Sequence, residues 1–185
     1  MDRRGLGRLA AFTLRGGCDG REFMSDTEMR AGEVALPFDP AETTFAGVIR
    51  IGQLSTPWAR GNCPKYLNQA RDRGGVFQAH VDMPFRPALL GLEPGMTVVL
   101  LYWMGQARRD LLVQAPAHRS EPTGTFALRS PARPNPFAMA VVRLVAIDRE
   151  SGVLELDAAD ALDGTILLDI KPWLPSIDMP RHTEK

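Results

Sequence analysis

Short apolar runs, separated by clusters of proline, glycine and aspartate, recur from Phe45 to the end of this chain. Runs rich in Val, Ile, Leu and Phe between such clusters predict β-strands. The 15 prolines make long helices improbable, because each one fixes φ and removes a backbone donor. Many short strands at this spacing predict a mainly β fold with few short helices, either a barrel or a sandwich.

The predicted strands share an apolar stretch between turn-forming residues. They are Ala46–Ile51, Val76–Val81, Val98–Trp103, Leu111–Ala115, Thr125–Leu128, Met139–Ile147, Val153–Asp157 and Ile166–Lys171. Short helices are predicted over Leu67–Arg73 and Pro87–Leu92. Asp148–Gly152 reads as a hairpin loop, and Asp163-Gly164 is a strong turn signal.

Residues 1–43 carry scattered glycine, arginine and acidic residues without a sustained period, so we expect an N-terminal extension of low order. A barrel domain is expected over 44–180, followed by a tail over 181–185. No apolar run approaches the roughly 18 residues that span a bilayer. The apolar stretch Leu9–Leu14 is shorter than a usual signal sequence and lacks a cleavage site, so we expect a cytoplasmic protein that does not contact membranes.

Charge and cysteine content exclude some classes of function. The formal net charge is zero, which argues against a surface that binds nucleic acid all over but leaves room for a local basic patch. Cys18 and Cys63 form no disulfide framework, and with His80, His118 and His182 they show no ligand spacing. We therefore expect no metal site.

The segment Arg129–Pro136 combines two arginines with three prolines. The prolines stiffen the loop before any ligand arrives, which lowers the entropy lost when Arg129 or Arg133 binds an anion. Asn135 adds an amide that both donates and accepts. The alternative is a rigid connection whose arginines pair with nearby carboxylates.

The segment Asp160–Trp173 places a tight turn before an apolar strand. Carboxylates and turn amides together can hold a ligand that carries hydroxyls, an amine or a sulfonium. Asp169 and Lys171 are two residues apart, so they share one face of the strand while Ile170 faces the other. The alternative is an Asp-rich turn with a surface ion pair, which contributes little to stability.

Two further segments have an open interpretation. In Gly61–Tyr66, Cys63 is a poor candidate nucleophile because no histidine lies near it in sequence. In Leu101–Asp110, Tyr102 and Trp103 precede Arg-Arg-Asp, so they either stack a base beside a bound phosphate or belong to the core.

Taken in this order, the segments resemble the TsaA-like family, also called YaeB or TrmO, over roughly residues 45–180. The matching elements are Ile51-Gly52 with Ser55 and Pro57, Cys63–Lys65, Arg86–Leu89 with Gly91-Leu92, Leu101–Trp103, Thr125–Pro131 with Arg133–Pro136, and Leu162–Thr165 with Leu168–Pro175. The resemblance implies a small antiparallel β-barrel that binds S-adenosylmethionine and forms a homodimer. Because the chain stops soon after Pro175, it looks like the single-domain form of the family.

The resemblance also implies an activity: methylation of N6 of a threonylcarbamoyl-modified adenosine in the tRNA anticodon loop. The implied cofactor-binding residues are Pro64, Lys65, Tyr66, Gly105, Gln106, Arg129, Asn135, Asp160, Leu162, Asp163, Gly164 and Thr165. The candidate catalytic bases that would remove the N6 proton are Asp163, which is preferred, and Asp169. Arg133 would bind a phosphate or the cofactor carboxylate.

The chain departs from the family pattern in three places, two single residues and one tripeptide. Ala132 and Gly105 stand where the family has histidine, and Ala138-Met139-Ala140 replaces Gly-Leu-Ser or Gly-Met-Ser. These departures leave two alternatives to tRNA methylation, namely a non-catalytic S-adenosylmethionine-binding or regulatory module, and methylation of a different acceptor.

Overall fold

The computed structural model describes residues 29–38 and 47–180. In chain order, the strands are β1 (Val34–Ala35), β2 (Gly52–Ser55), β3 (Gln78–Val81), β4 (Thr97–Trp103), β5 (Leu111–Gln114), β6 (Thr123–Gly124), β7 (Phe137–Asp148), β8 (Val153–Leu156) and β9 (Ile166–Pro172). The α-helices are α1 (Leu67–Arg73) and α2 (Pro175–Asp178), and 3₁₀ helices cover Met83–Leu89 and Thr125–Ala127.

Six of the strands close into an antiparallel barrel in the order β2-β3-β8-β7-β4-β9. The predicted mainly β fold is therefore confirmed, and it is a barrel and not a sandwich. The core follows from the two-residue period of a strand, as β4 shows: Val98, Leu100 and Tyr102 are buried and point inward. The neighbouring strands contribute Leu144, Leu154 and Leu167 in the same way, and each is fully buried.

Strand β2 closes the barrel, because it pairs with β3 on one side and β9 on the other. Its first residue, Gly52, faces Val81 of β3 and Leu167 of β9. A Cβ atom at Gly52 would lie 2.0 Å from the backbone oxygen of His80. Two backbones therefore approach each other at this point more closely than any side chain allows.

A second, three-stranded sheet lies outside the barrel in the order β1-β5-β6. Strand β1 falls within the segment that we expected to be an extension of low order, and it pairs with β5. Residues 1–28, 39–46 and 181–185 lie outside the described residues, and with them Cys18, His182 and most of the predicted extension and tail.

Three element predictions were wrong or misplaced. Thr125–Leu128 was predicted as a strand but begins with a 3₁₀ turn, because the buried Thr125 hydroxyl donates to Leu111 O at 2.8 Å and bends the chain there. The first barrel strand begins at Gly52, so residues 47–51 of the predicted Ala46–Ile51 strand precede it. The helix predicted at Pro87–Leu92 is the 3₁₀ helix Met83–Leu89, which ends before Gly91 with its φ of +91°.

Helix α1 was predicted with its correct bounds. It ends at Gly74, which has a φ of +67°. Its one buried residue, Ala70, faces the barrel, and Arg71 forms an ion pair of 2.8 Å with Asp157. In the part of the chain that the structure describes, no helix has the length and apolar character needed to cross a membrane.

Candidate functional site

An open pocket of about 390 Å³ lies at one rim of the barrel. There the last residue of β4, Trp103, pairs with the first residue of β9, Ile166. The wall combines the end of β4 and its following turn, the turn into β9, and single residues from two other loops. The lining residues are Arg60, Trp103, Met104, Gly105, Gln106, Ala107, Pro131, Leu162, Asp163, Gly164, Thr165 and Ile166.

A second hollow of about 440 Å³ adjoins this pocket. The two share Arg60, Gln106, Leu162 and Asp163, and the second adds Trp58 and Ala59. At the shared rim, Arg60 Nη2 donates a hydrogen bond of 3.1 Å to Gln106 Oε1. Asp163 therefore lies at the junction of the two spaces.

Backbone hydrogen bonds hold the turn that carries Asp163. Asp163 N donates to Trp58 O and Gly164 N donates to Leu54 O, both at 2.9 Å. Gly164 has a φ of +75°, so the predicted tight turn at Asp163-Gly164 is confirmed. The Thr165 hydroxyl donates to Leu162 O at 2.6 Å and closes the turn. The position of Asp163 is thus fixed by the strand that closes the barrel.

The Asp163 carboxylate has one occupied and one open oxygen. Oδ1 accepts from Thr56 N at 3.0 Å. No donor among the described residues lies within hydrogen-bonding distance of Oδ2, and the residue is exposed. One oxygen therefore fixes the orientation of the carboxylate, while the other is available to a ligand in the pocket.

Thr56 connects the Asp163 turn to the core. It is 8% exposed, and its hydroxyl donates to Ala161 O at 2.8 Å and accepts from Trp58 N at 3.2 Å. Its backbone and side chain therefore hold both loops that meet beneath the pocket.

We expect Thr56→Val to lower the free energy of unfolding by about 1–3 kcal/mol, because valine leaves the Ala161 carbonyl and the Trp58 amide without their partner. Thr56→Ser keeps the hydroxyl and should lose less than half as much. Urea denaturation of the three proteins measures both values. A larger loss for Ser than for Val would assign the effect to packing of the methyl group, which valine keeps and serine lacks.

A polar cluster lies behind the pocket turn, at the end of the barrel interior. The Tyr102 hydroxyl donates to Asp160 Oδ1 at 3.0 Å. Burial raises the pKa of Tyr102 far above its ordinary value, and the Asp160 carboxylate raises it further, so the phenol stays protonated and donates. Burial also raises the pKa of Cys63, whose thiol lies 3.5 Å from Asp160 O. Cys63 is therefore a poor nucleophile in this environment.

The two aromatic residues of the Leu101–Asp110 segment differ in their surroundings. Tyr102 is in the core, whereas Trp103 is half-buried and lines the pocket. The Trp103 ring contacts Phe137 edge to face, with the ring centroids 5.2 Å apart. The Arg109 guanidinium carbon lies 5.5 Å from the Trp103 ring centroid, and Arg109 Nε donates to Pro134 O at 2.7 Å. The core interpretation is thus correct for Tyr102 alone.

The Arg129–Pro136 loop is held by its own side chains. The Arg133 guanidinium donates to the backbone carbonyls of Ser130, Thr125 and Leu128, so it stabilises the loop. The Gln114 amide donates to Ala132 O at 2.6 Å. Pro131 is the residue of this loop that reaches the pocket wall.

Other predicted site residues lie away from the pocket wall. Arg129 and Asn135 are exposed, and Arg129 Nη2 is 3.5 Å from Met139 O. Asp169 forms an ion pair of 2.6 Å with Lys171, as the shared strand face predicts, while Ile170 packs against the core. In the segment before α1, Pro64 is buried, Lys65 and Tyr66 are exposed, and Lys65 N donates to Gln69 Oε1 at 3.1 Å.

The structure thus brings one group of the predicted site residues to a common wall. The group comprises Gly105, Gln106, Leu162, Asp163, Gly164 and Thr165. The sequence reasoning did not place Arg60, Met104, Ala107, Pro131 or Ile166 there. Trp103 had a signal in the sequence, because it is an aromatic residue at a strand end, two residues before a glycine. Arg60 had none, since its place depends on how a distant loop folds against the rim.

Known proteins resemble this chain in sequence and in structure. Residues 54–179 match the family model for the tRNA-methyltransferase O N-terminal domain. The chain is 35% identical over 150 residues to the probable S-adenosyl-L-methionine-binding protein VirR of Rhizobium radiobacter, a match that covers 80% of this chain and 82% of that protein. It is 52% identical over 56 residues to the tRNA (adenine(37)-N6)-methyltransferase of Eikenella corrodens, covering 30% of this chain and 32% of that enzyme.

The structure is also similar to the crystal structure of TrmO from Pseudomonas aeruginosa. The TM-score is 0.59 at 31% sequence identity, and the match covers 76% of this chain and 61% of that chain. The structural match therefore spans less than two thirds of the solved TrmO chain, and the 56 aligned residues span about a third of the Eikenella enzyme.

Proposed function

The chain belongs to the family of the tRNA-methyltransferase O N-terminal domain, and from this premise we propose that it binds S-adenosylmethionine in the pocket around Asp163. We further propose that it methylates N6 of a threonylcarbamoyl-modified adenosine in the tRNA anticodon loop. The observation that carries the proposal is the Asp163 carboxylate, with one oxygen fixed by Thr56 N and the other open to the pocket.

The residues present fit this cofactor. A pocket of about 390 Å³ is in the range that small ligands occupy. Trp103, Met104 and Ile166 supply an apolar surface for a base and a thioether chain. Asp163 supplies negative charge, which suits the sulfonium and amino groups, and Gln106 supplies an amide. The bound cofactor would supply the methyl group as an electrophilic carbon.

Asp163 would act on the acceptor. An adenine N6 is a weak nucleophile because its lone pair is delocalised into the ring. A carbamoyl substituent withdraws further density but makes the N–H more acidic, so a carboxylate held beside it can take the proton. Because Asp163 is fixed at Oδ1, the proton would pass to Oδ2 without rotation of the side chain.

The loop residues would serve the RNA and the cofactor. Arg129 and Asn135 are exposed on the loop that brings Pro131 to the pocket, so we retain them as candidate contacts to a phosphate or to the cofactor. Arg133 would act by holding the loop, because it donates to the Ser130 carbonyl and to two carbonyls of the preceding turn. The adenosine must leave its stack to enter the pocket, which costs little in an anticodon loop.

The test is methyl transfer by the purified chain. We expect labelled methyl to pass from S-adenosylmethionine to tRNA that carries the threonylcarbamoyl group, and not to an unmodified transcript. Nucleoside mass spectrometry should locate the methyl on N6. An unchanged N6-methyl level in tRNA from a deletion strain lacking other such methylases would contradict the tRNA assignment.

The same experiment separates the alternatives. Tight cofactor binding by calorimetry without transfer would support a non-catalytic or regulatory module. Transfer to a small molecule without salt-dependent tRNA binding would support a different acceptor.

A homodimer and a cytoplasmic location remain predictions from the resemblance and the sequence. The outer face of β7 carries exposed apolar side chains at Phe137, Met139 and Val145, which supports a covered face in an oligomer. Within residues 29–38 and 47–180, no group of three or more His, Cys, Asp or Glu side chains is arranged to hold a metal ion.

A further inference from the structure

We infer that Trp103 is the base-stacking residue of this pocket, that its indole ring stacks on an adenine, and that Gly105 provides the space in which the indole lies. Adenine is common to S-adenosylmethionine and to the acceptor nucleoside, so the shared chemistry is a purine nucleoside. The choice of adenine rests on the proposed function, whereas the role of the indole as a stacking surface rests on the geometry.

The indole is a flat apolar surface on the pocket wall. Trp103 is half-buried and lines the pocket, while Trp58 is 8% exposed and belongs to the core. Every base has a π-face, and an aromatic ring presented at a pocket or groove is the usual platform for it. Of these two indoles, only Trp103 can serve a ligand in the 390 Å³ pocket, because Trp58 does not line it.

The indole N–H is also available. Trp58 Nε1 donates to Ala159 O at 2.7 Å, whereas no acceptor among the described residues lies within hydrogen-bonding distance of Trp103 Nε1. This N–H lies in the plane of the ring, so it points beside a stacked base and not at it. The ribose oxygens of a nucleoside lie beside its base and are acceptors, so one tryptophan can recognise both parts of the ligand.

The ring is held in place before a ligand arrives. Phe137 contacts it edge to face at 5.2 Å, with an angle of 82° between the ring planes. Arg109 lies over it at 5.5 Å and is itself fixed to Pro134 O in the proline-rich loop. Two neighbours on different elements therefore restrict the indole, which reduces the entropy lost on binding.

Gly105 makes this position of the ring possible. A Cβ atom at residue 105 would lie 2.9 Å from Trp103 Cδ1 and 3.1 Å from Nε1. The first contact is shorter than real Cβ atoms show and the second is tighter than most, so a side chain at this position would displace the indole. Gly105 and Trp103 therefore act as one unit, and substitutions at the two positions should not be additive.

The experiment compares Trp103→Leu, Trp103→Phe and Gly105→Ala with the unmodified chain. The probes are adenosine and S-adenosylmethionine by calorimetry without tRNA, and the KM for modified tRNA at saturating cofactor. We expect Trp103→Leu to weaken adenosine binding by about 10-fold to 100-fold, and Trp103→Phe to recover most of it, because phenylalanine still stacks. Gly105→Ala should weaken it similarly, with no further loss in the double variant Gly105→Ala/Trp103→Leu.

The cofactor dissociation constant and the KM for tRNA together identify which ligand supplies the stacked adenine. A raised dissociation constant for S-adenosylmethionine assigns the stacked base to the cofactor. A raised KM for tRNA with an unchanged cofactor constant assigns it to the acceptor. If Trp103→Leu changes neither constant while its thermal unfolding matches that of the unmodified chain, the inference is wrong.

Fluorescence separates this inference from the proposed function. Adenosine should quench the emission of the unmodified chain, and that quenching should be absent in Trp103→Phe. Quenching without methyl transfer would support the stacking role while contradicting the proposed reaction. Methyl transfer without quenching would support the reaction and overturn the stacking role, and the absence of both would contradict both.

Discussion

Methyl transfer to tRNA should fall by about 10²-fold to 10⁴-fold in Asp163→Asn, while the dissociation constant for S-adenosylmethionine changes by less than about ten-fold. Asparagine keeps an oxygen that accepts from Thr56 N, so the turn at the pocket rim retains its shape. What it loses is the ability to take a proton from the acceptor N–H. Single-turnover transfer at saturating cofactor measures the first quantity, and calorimetry measures the second.

The matched comparison is Asp169→Asn, because Asp169 is the other candidate base and lies outside the pocket wall in an ion pair with Lys171. We expect its transfer rate to stay within about three-fold of that of the unmodified chain, since exposed ion pairs contribute little. A large loss in Asp169→Asn together with normal transfer in Asp163→Asn would show that Asp169, and not Asp163, is the catalytic base. Normal transfer in both variants would show that neither carboxylate acts as the catalytic base.

The free energy of unfolding should fall by about 3 kcal/mol or more in Gly52→Ala, which is at or above the upper end of the usual cost of overpacking. The added Cβ would lie 2.0 Å from His80 O, 3.0 Å from His80 C and 3.1 Å from Val81 Cα. All three are backbone atoms of the adjacent strand, so no side chain can rotate to relieve the contact. Relief requires separation of β2 from β3, which opens the barrel.

Gly47→Ala provides the control, because an added Cβ there meets nothing within 4 Å. Its unfolding free energy should change by less than about 0.5 kcal/mol. Urea denaturation of the two variants and the unmodified chain gives the comparison. A loss below about 1 kcal/mol in Gly52→Ala would contradict the close approach of β2 and β3 seen at this residue.

The barrel strands were predictable because each contains an apolar run between turn formers, whereas β1 and β6 of the outer sheet were missed because each is only two residues long. Helix α1 was predictable because its last turn runs into two glycines. The closure of β2 onto β9 was not, since it joins residues more than 100 positions apart and depends on register. The 3₁₀ turn at Thr125 resembled a strand because its buried polar bond to Leu111 O leaves no trace in local hydropathy.

The site was predictable in part for a similar reason. The Leu162–Thr165 turn contains Asp-Gly, which favours a tight turn by itself. Its position at the end of a strand, at the rim of the barrel, could therefore be predicted from four residues. Arg133 was predicted to grip an anion, but the choice between an anion and a backbone carbonyl depends on where the loop folds. In the structure its guanidinium donates to the carbonyl of Ser130 in its own segment and to those of Thr125 and Leu128 just before it.

The hydrogen bonds of the Asp163 turn have a consequence for how this pocket can change over evolutionary time. The turn that carries the carboxylate is tied to the barrel-closing strand by the Gly164 amide, which donates to Leu54 O, so a mutation that moves this turn also endangers folding. Arg60 and Gln106 are exposed, and within residues 29–38 and 47–180 their side chains form one hydrogen bond, to each other, so they can be replaced at little cost in stability. If Asp163 is the base, as proposed, new acceptor preferences can arise at the rim while the Asp163 turn stays constant, and relatives can diverge in substrate without losing the barrel.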